Sequence, residues 1–224
     1  EKALQFGTLP KLFSLTSNEE KKEFLNAYAN TYLQEEVFSE GLVRQLDGFR
    51  QFLIIAATQN GEALSWNNIA REVGLSAPTI QGYFQILGDT LLGFLLPAYR
   101  RSIRKRQRTH PKFYFFDPGI KRALAHELSI PLHPGTFEYG KAIEHFWIIE
   151  IMRLSSYRRN DWQFSYFATE DSEVDLVIER PGKPLLFIEI KSSDSVKDTE
   201  LRPILSLLKA VKDAEGICIT REPF

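Results

Sequence analysis

One cysteine, four histidines and a net charge of −1 leave this sequence without the starting points of many familiar sites. A single thiol, Cys218, excludes an internal disulfide and a zinc site built on paired cysteines. His110, His126, His133 and His145 show no metal-ligand spacing and read as surface residues. No apolar run approaches the roughly 18 residues needed to cross a membrane, and no signal peptide opens the chain. No glycine-flanked serine and no cysteine–histidine pair points to covalent catalysis. A near-zero net charge says nothing about polyanions until the charges are located. What is present is ordinary for a globular, cytoplasmic protein: 224 residues, 43% hydrophobic and 25% charged, are enough for one large or two small domains. The chain opens on Glu1 and not on methionine, which predicts a fragment or a processed product.

The most informative stretch runs from Glu173 to Ser193. Two alternating arms, Glu-Val-Asp-Leu-Val-Ile-Glu and Leu-Leu-Phe-Ile-Glu-Ile-Lys, flank Pro181-Gly-Lys-Pro184, the pattern of a β-hairpin. Residues two apart share a face of a strand. Asp175 therefore goes with Glu173, Val177 and Glu179, while Val174, Leu176 and Ile178 face the other way. An antiparallel register centred on Gly182, which requires an odd loop count, sets Asp175 opposite Glu189, with Lys191 two residues on; an even count would put the two acids on opposite faces. Two carboxylates on one face suit a hard cation such as Mg²⁺ or Mn²⁺, and a neighbouring ammonium could hold or activate water. The plainer reading is a half-solvated hairpin with a charged outer face. The face from Leu185 to Lys191 is apolar at one end and charged at the other, which a strand merely facing water would not need.

Ahead of the hairpin, Ser17 and Glu20 form a capping-box pattern, with Phe24, Leu25, Tyr28 and Tyr32 at helical spacing to about Glu36. Leu4 to Leu15 has no visible partner, and residues 1–45 read as a helical remnant of something larger. Residues 46–118 read as a winged helix. Asp47 caps a helix bearing Phe49, Phe52, Leu53 and Ala56 that ends at Asn60-Gly61. Ser65 caps a short helix stopped by Gly74, and Ser76 opens a third helix with Pro78 in its first turn. Strands over Phe94–Tyr99 and Phe113–Phe116 then flank a long basic loop. Arg100, Arg101, Arg104, Lys105, Arg106, Arg108 and Lys112 lie there, and no acid falls between Asp89 and Asp117. So many unbalanced like charges suit a polyanion, and DNA phosphate is the expected partner. The alternative use of such a module is protein docking.

Residues 119–224 read as an α/β domain in the order α-β-β-β-α-β. A helix over Glu138–Leu154 leads, a strand over Trp162–Ala168 joins the hairpin, a helix over Thr199–Asp213 follows, and Gly216–Thr220 reads as a buried strand. The last strand–helix–strand unit predicts a parallel crossover. Gly135-x-x-x-x-Gly140-Lys141 has P-loop spacing, but Ala142 stands where the Mg²⁺-binding hydroxyl belongs, and a proline-rich loop replaces the preceding strand. No nucleotide cofactor is expected from it. Glu144, one turn after Gly140, is a candidate third carboxylate, or else an ordinary solvated helix acid.

The set Gly140-x-x-x-Glu144, Glu173-Val-Asp175 and Glu189-Ile-Lys191, in this element order, resembles the PD-(D/E)xK nuclease-like superfamily, which includes archaeal Holliday-junction resolvases. The whole chain is similar to the C-terminal half of a prokaryotic AAA-type ATPase family, in which a winged helix and a nuclease-like domain of unknown function follow the P-loop core. Gly7-Thr-Leu-Pro10, Thr31-Tyr-Leu33 and Pro111-Lys-Phe-Tyr-Phe-Phe-Asp117-Pro-Gly119 are further landmarks of that likeness. The resemblance implies Glu144, Asp175 and Glu189 as the acidic, metal-binding site, Lys191 as its lysine, and an ATPase module in cis as a partner. It implies a restriction-endonuclease-like fold for the last domain and no ATP hydrolysis by this fragment. DNA binding, with metal-dependent phosphodiester cleavage as its chemistry, is the leading expectation. A non-catalytic regulatory or docking module of the ATPase is the alternative.

The basic loop supplies a first test. Changing Arg104, Lys105 and Arg106 to alanine should weaken DNA binding and flatten its dependence on salt, because fewer counterions are released. Anisotropy titrations over a salt series read both quantities, and unchanged binding and slope would favour docking.

Overall fold

The computed structural model describes residues 1–32, 43, 45–99, 110–169 and 172–221. Six of the basic-loop residues, Arg100, Arg101, Arg104, Lys105, Arg106 and Arg108, and the stretch leading to Glu36 lie outside them. The architecture is mixed α/β, with a two-stranded and a four-stranded sheet. Packing divides the chain into two compact units, residues 1–95 with 112–132, and residues 96–111 with 133–224. No helix among the described residues is long and apolar enough to cross a membrane.

The first unit opens with α1 (Lys2–Phe6), a 3₁₀ turn (Pro10–Ser14) and α2 (Asn18–Ala27), which continues as a π-helical turn over Tyr28–Tyr32. The capping box at α2 is complete: the Ser17 hydroxyl accepts the Glu20 N–H, and the Glu20 carboxylate accepts the Ser17 N–H. Next come α3 (Leu46–Thr58), α4 (Trp66–Val73) and α5 (Ala77–Asp89), then β1 (Gly93–Leu96), β2 (Lys112–Phe115) and α6 (Pro118–Leu124). Gly74 ends α4 at φ 74°, and Ser76 caps α5 with Pro78 in its first turn. Asp47 is not the cap of α3 but lies in its first turn, after Gln45.

A run of rings forms the centre of this unit. Phe52 meets Phe84 at 4.8 Å, Phe84 meets Phe113 at 4.9 Å, and Phe113 meets Phe115 at 5.1 Å, all edge-on, the favoured arrangement for aromatic quadrupoles. Asn60, at the end of α3, is buried and its side-chain oxygen accepts the Phe115 N–H at 2.8 Å, tying the helix end to β2.

The N-terminal residues do have a partner. Phe6, Leu12, Leu25, Ala29 and Val43 are buried in the same cluster as Phe49, Phe84 and Ile120. Asp117 makes the joint. Fully buried, it accepts the N–H groups of Gly119 (2.8 Å) and Ile120 (3.2 Å) as the N-cap of α6, and that of Thr8 at 2.7 Å. The landmarks Gly7 and Gly119 now have a physical reason. A Cβ on Gly7 would lie 1.9 Å from Asp117 Oδ1, and one on Gly119 would lie 2.0 Å from the Phe6 carbonyl oxygen.

The second unit holds α7 (Phe137–Tyr157), β3 (Gln163–Ala168), β4 (Glu173–Glu179), β5 (Leu185–Ile190), α8 (Arg202–Ala210) and β6 (Ala214–Ile219). The sheet order is β3-β4-β5-β6. The first two pairings are antiparallel and the last is parallel, as a strand–helix–strand crossover requires. On the outer side of β3, Tyr166 exchanges backbone hydrogen bonds with Pro97 and Tyr99, so a short segment covers that edge.

Three expectations need correction. His145, on α7, is buried and not a surface residue. Between Ser165↔Val177 and Phe167↔Val174, β3 advances two residues while β4 advances three, a β-bulge in β4. Val174 therefore packs with Val177 and Phe187 and not with the face of Leu176 and Ile178. The strand β6 is not buried; it is a sheet edge, with Ile217 exposed.

The joint at Asp117 should be costly to break. Asp117→Ala is expected to lower stability by about 3–5 kcal/mol, since it removes a cap and leaves buried amides unpaired. Gly119→Ala should be similarly damaging, whereas Gly82→Ala in α5, where nothing lies within 4 Å, should be neutral or stabilising. Urea unfolding of the three variants checks this.

Candidate functional site

The hairpin register is centred on Gly182: Leu176 pairs with Ile188, Val177 with Phe187, and Ile178 with Leu186. The ladder stops one pair short of Asp175 and Glu189. In place of the next main-chain acceptor, the Asp175 carboxylate takes the Ile190 N–H at 2.7 Å. The bulge and this side-chain bond together end β4 pairing where the charged residues begin.

Glu189 is buried, yet its partner comes from two residues along the same strand. Lys191 Nζ donates to Glu189 Oε1 at 2.6 Å. The other oxygen, Oε2, is buried with no hydrogen-bond partner. Burial raises the Glu189 pKa above the ordinary carboxylate value; Lys191 opposes this, while the nearby charges of Glu144 and Glu173 add to it. For Lys191, burial alone would lower the pKa, but the bond to Glu189 and the charges of Glu189, Asp175 and Glu200 together outweigh it and raise the value. The two shifts describe one crowded acidic neighbourhood around a single ammonium.

Glu144 reaches this neighbourhood from α7, whose N-cap is Thr136. It is buried, and Lys141 approaches it at 3.5 Å while also lying 5.7 Å from the Phe137 ring centroid. Lys141 thus sits on a helix beside an acid, and Gly140 lies inside that helix rather than on a loop after a strand. A Cβ on Gly140 would meet Ser192 Oγ at 3.5 Å, an ordinary contact that shows α7 running close to the end of β5.

All four candidates from the sequence, Glu144, Asp175, Glu189 and Lys191, belong to the second unit, and their fields overlap. Among the described residues, however, no group of three or more His, Cys, Asp or Glu is arranged to hold a metal ion. Each acid is engaged elsewhere: Glu189 with Lys191, Asp175 with the Ile190 amide, Glu144 with Lys141. The donor chemistry suits a hard cation, since carboxylate oxygens dominate and one buried oxygen is unused. Lys112 is placed differently from its neighbours in sequence: it is buried at the start of β2, 3% exposed.

Two residues near the acids were not singled out from the sequence. Cys218 on β6 stands beside Glu189 in the parallel register, and burial, then Glu189, raises its thiol pKa. Only the strand register, not the composition, could have placed it there. Lys141 belongs to the P-loop-like spacing, and its i, i+3 relation to Glu144 is the sequence signal that places it at the acids.

Removing the ammonium should expose how much the pair matters. Lys191→Met leaves both Glu189 oxygens buried without a donor, and the loss expected at pH 8 is about 1–3 kcal/mol. The variant raises the folded-state pKa of Glu189 further. Its penalty should therefore be absent below the unfolded carboxylate value near 4.5 and grow as pH rises through the folded value. Urea unfolding at pH 4.5 and pH 8 compares the two.

Residues 139–223 are similar to a family described as Domain of unknown function (DUF4143). An uncharacterized protein of Mycobacterium bovis and one of Mycobacterium tuberculosis are each 28% identical over 192 residues, covering 84% of this chain. The chain spans 42% of the length of these curated relatives. No solved structure matches. Residues 1–130, more than half of the 224, match a second family, and the chain belongs to it: Domain of unknown function (DUF8612).

Proposed function

We propose that this chain is a DNA-binding, nuclease-like portion of an AAA-type ATPase, with a winged helix in its first unit and a PD-(D/E)xK-like acidic site in its second. The observation that carries the reading is the buried, unpartnered Oε2 of Glu189, set beside Lys191 and within the field of Glu144, Glu173 and Asp175. A buried carboxylate oxygen without a donor costs free energy that a ligand would recover. The three helices followed by two paired strands, with Ala63 bridged to Lys112, support the winged-helix part.

Asp175, Glu189 and Glu144 would hold Mg²⁺ or Mn²⁺. Such an ion would supply charge stabilisation at a phosphate and a more acidic bound water. The protein's own groups have separate tasks. Lys191, held by Glu189, keeps a protonated ammonium at the site and can donate to a phosphate oxygen or orient a water. Asp175 accepts the Ile190 amide, which holds its carboxylate in place and lowers the entropy cost of positioning it.

A second reading, a regulatory or docking module that cuts nothing, is favoured by one observation: no three-ligand group stands assembled among the described residues. The two readings separate in one experiment. The nuclease-like reading expects Mn²⁺ at ten times its Kd to stabilise the fold by about 1.4 kcal/mol, a Tm rise of about 3–5 °C. Asp175→Asn with Glu189→Gln should abolish that rise, and duplex or branched DNA should be cleaved by the native chain alone. No metal response together with no cleavage would leave the docking module.

A further inference from the structure

Two residues past β6, Arg221 lies over an aromatic ring: its guanidinium carbon is 5.2 Å from the Tyr139 centroid. Its main chain is anchored. The Lys191 N–H donates to the Ile219 carbonyl at 2.8 Å, in register with the β5–β6 ladder, and the Arg221 N–H donates to the Ser193 carbonyl at 3.4 Å, two residues out of that register. The guanidinium itself is little used. The acid beside it, Asp194, stands at 3.7 Å with a side chain 75% exposed, an ion pair too long for a hydrogen bond and weak in water. Among the described residues no other acid pairs with it, leaving most of its five N–H donors for something else.

The same corner holds a second unused donor. The Ser193 hydroxyl is buried with no hydrogen-bond partner, in the residue whose carbonyl anchors Arg221. Tyr139 and Gly140 on α7 close the corner from the other side, with Ser192 Oγ 3.5 Å from where a Gly140 Cβ would stand. A planar cation held over an aromatic ring is pre-organised to present its edge, and that edge matches two phosphate oxygens.

We propose that Arg221, with the Ser193 hydroxyl, forms a subsite for a backbone phosphate of bound DNA. The assignment rests on the DNA-binding reading above and adds a contact outside the acidic set. β6 ends at Ile219, so Arg221 stands past the strand that sets Cys218 beside Glu189. It would grip a phosphate outside the acidic set, and it is a positioning residue.

The test is an anisotropy titration of the purified chain with duplex DNA over a salt series, alongside melting curves with and without Mn²⁺. Arg221→Gln is expected to weaken binding five- to tenfold at moderate salt and to reduce the slope of log K against log salt by about 0.9, the share of one phosphate. Arg221→Lys should keep the slope and recover only part of the affinity, and the Mn²⁺ response should stay that of the native chain. An unchanged slope in a folded Arg221→Gln protein, with native binding intact, overturns the subsite alone. Failure of the native chain to bind duplex, single-stranded or branched DNA overturns the underlying reading instead. If Arg221→Gln does not fold, Asp194→Asn decides. Freed of its competitor, Arg221 should bind DNA two- to threefold tighter, and no gain, or an equal gain from Asp198→Asn, defeats the proposal. Inorganic phosphate at matched ionic strength that raises the native Tm but not that of Arg221→Gln, with no change in DNA slope, would reassign the corner to a free anion and equally defeat it.

Discussion

The first unit depends on one buried carboxylate. Asp117 gathers amides from α6 and from Thr8, over a hundred residues earlier, and the two glycines that flank the contact exist because no side chain fits there. A carboxylate buried this deeply is tolerable only while several N–H dipoles converge on it. The dependence runs both ways, because α1 and the following turn have little else as specific to hold their register against α6. The aromatic run from Phe52 to Phe115 supplies the bulk of the burial, but it is non-directional and would tolerate slippage that Asp117 does not.

The second unit shows a different use of burial. Glu189 is placed by a strand whose other positions are apolar, so the sheet itself draws a carboxylate into a poorly solvated place. Lys191 compensates it from the same strand. That compensation is partial: one oxygen is satisfied and one is not. Partial satisfaction is expensive for a structural ion pair and ordinary for a site that waits for a ligand. The bond to Glu189 and the charges of Glu189, Asp175 and Glu200 hold the Lys191 pKa above its usual value despite burial.

Much of this was legible in the residues, and the failures have identifiable causes. The turn at Gly182 declared itself because Pro181, Gly182 and Pro184 interrupt two alternating arms, but only the pairing itself decided between an odd and an even loop count, and it is centred on Gly182. Helix ends at Gly74 and Ser76 were equally plain, since a left-handed glycine and a hydroxyl cap act locally. The β4 bulge was not, because an extra residue in one strand leaves the alternation of the sequence intact while moving Val174 to another face. The apolar run at β6 looked buried, but an edge position is a property of sheet order and not of the strand. Residues 1–15 looked partnerless for the same reason: their partner, Asp117, lies far along the chain, and the glycines that mark the contact carry no side chain to read. Cys218 came to the acids only through pairing with β5.

The short segment covering the outer edge of β3 has a consequence for how the protein is made. Pro97–Tyr99 belongs to the second unit, yet it lies between strands β1 and β2 of the first. On the ribosome, Ala98 emerges 68 residues (166 − 98) before Tyr166, the residue it bridges. At about 5–20 residues per second that is a wait of roughly 3–14 s. During it the first unit can complete β2 and α6, leaving this segment as a tethered loop that the later sheet must capture. The sheet of the second unit is thus completed by a segment synthesised well before it, and neither unit corresponds to one uninterrupted stretch of nascent chain.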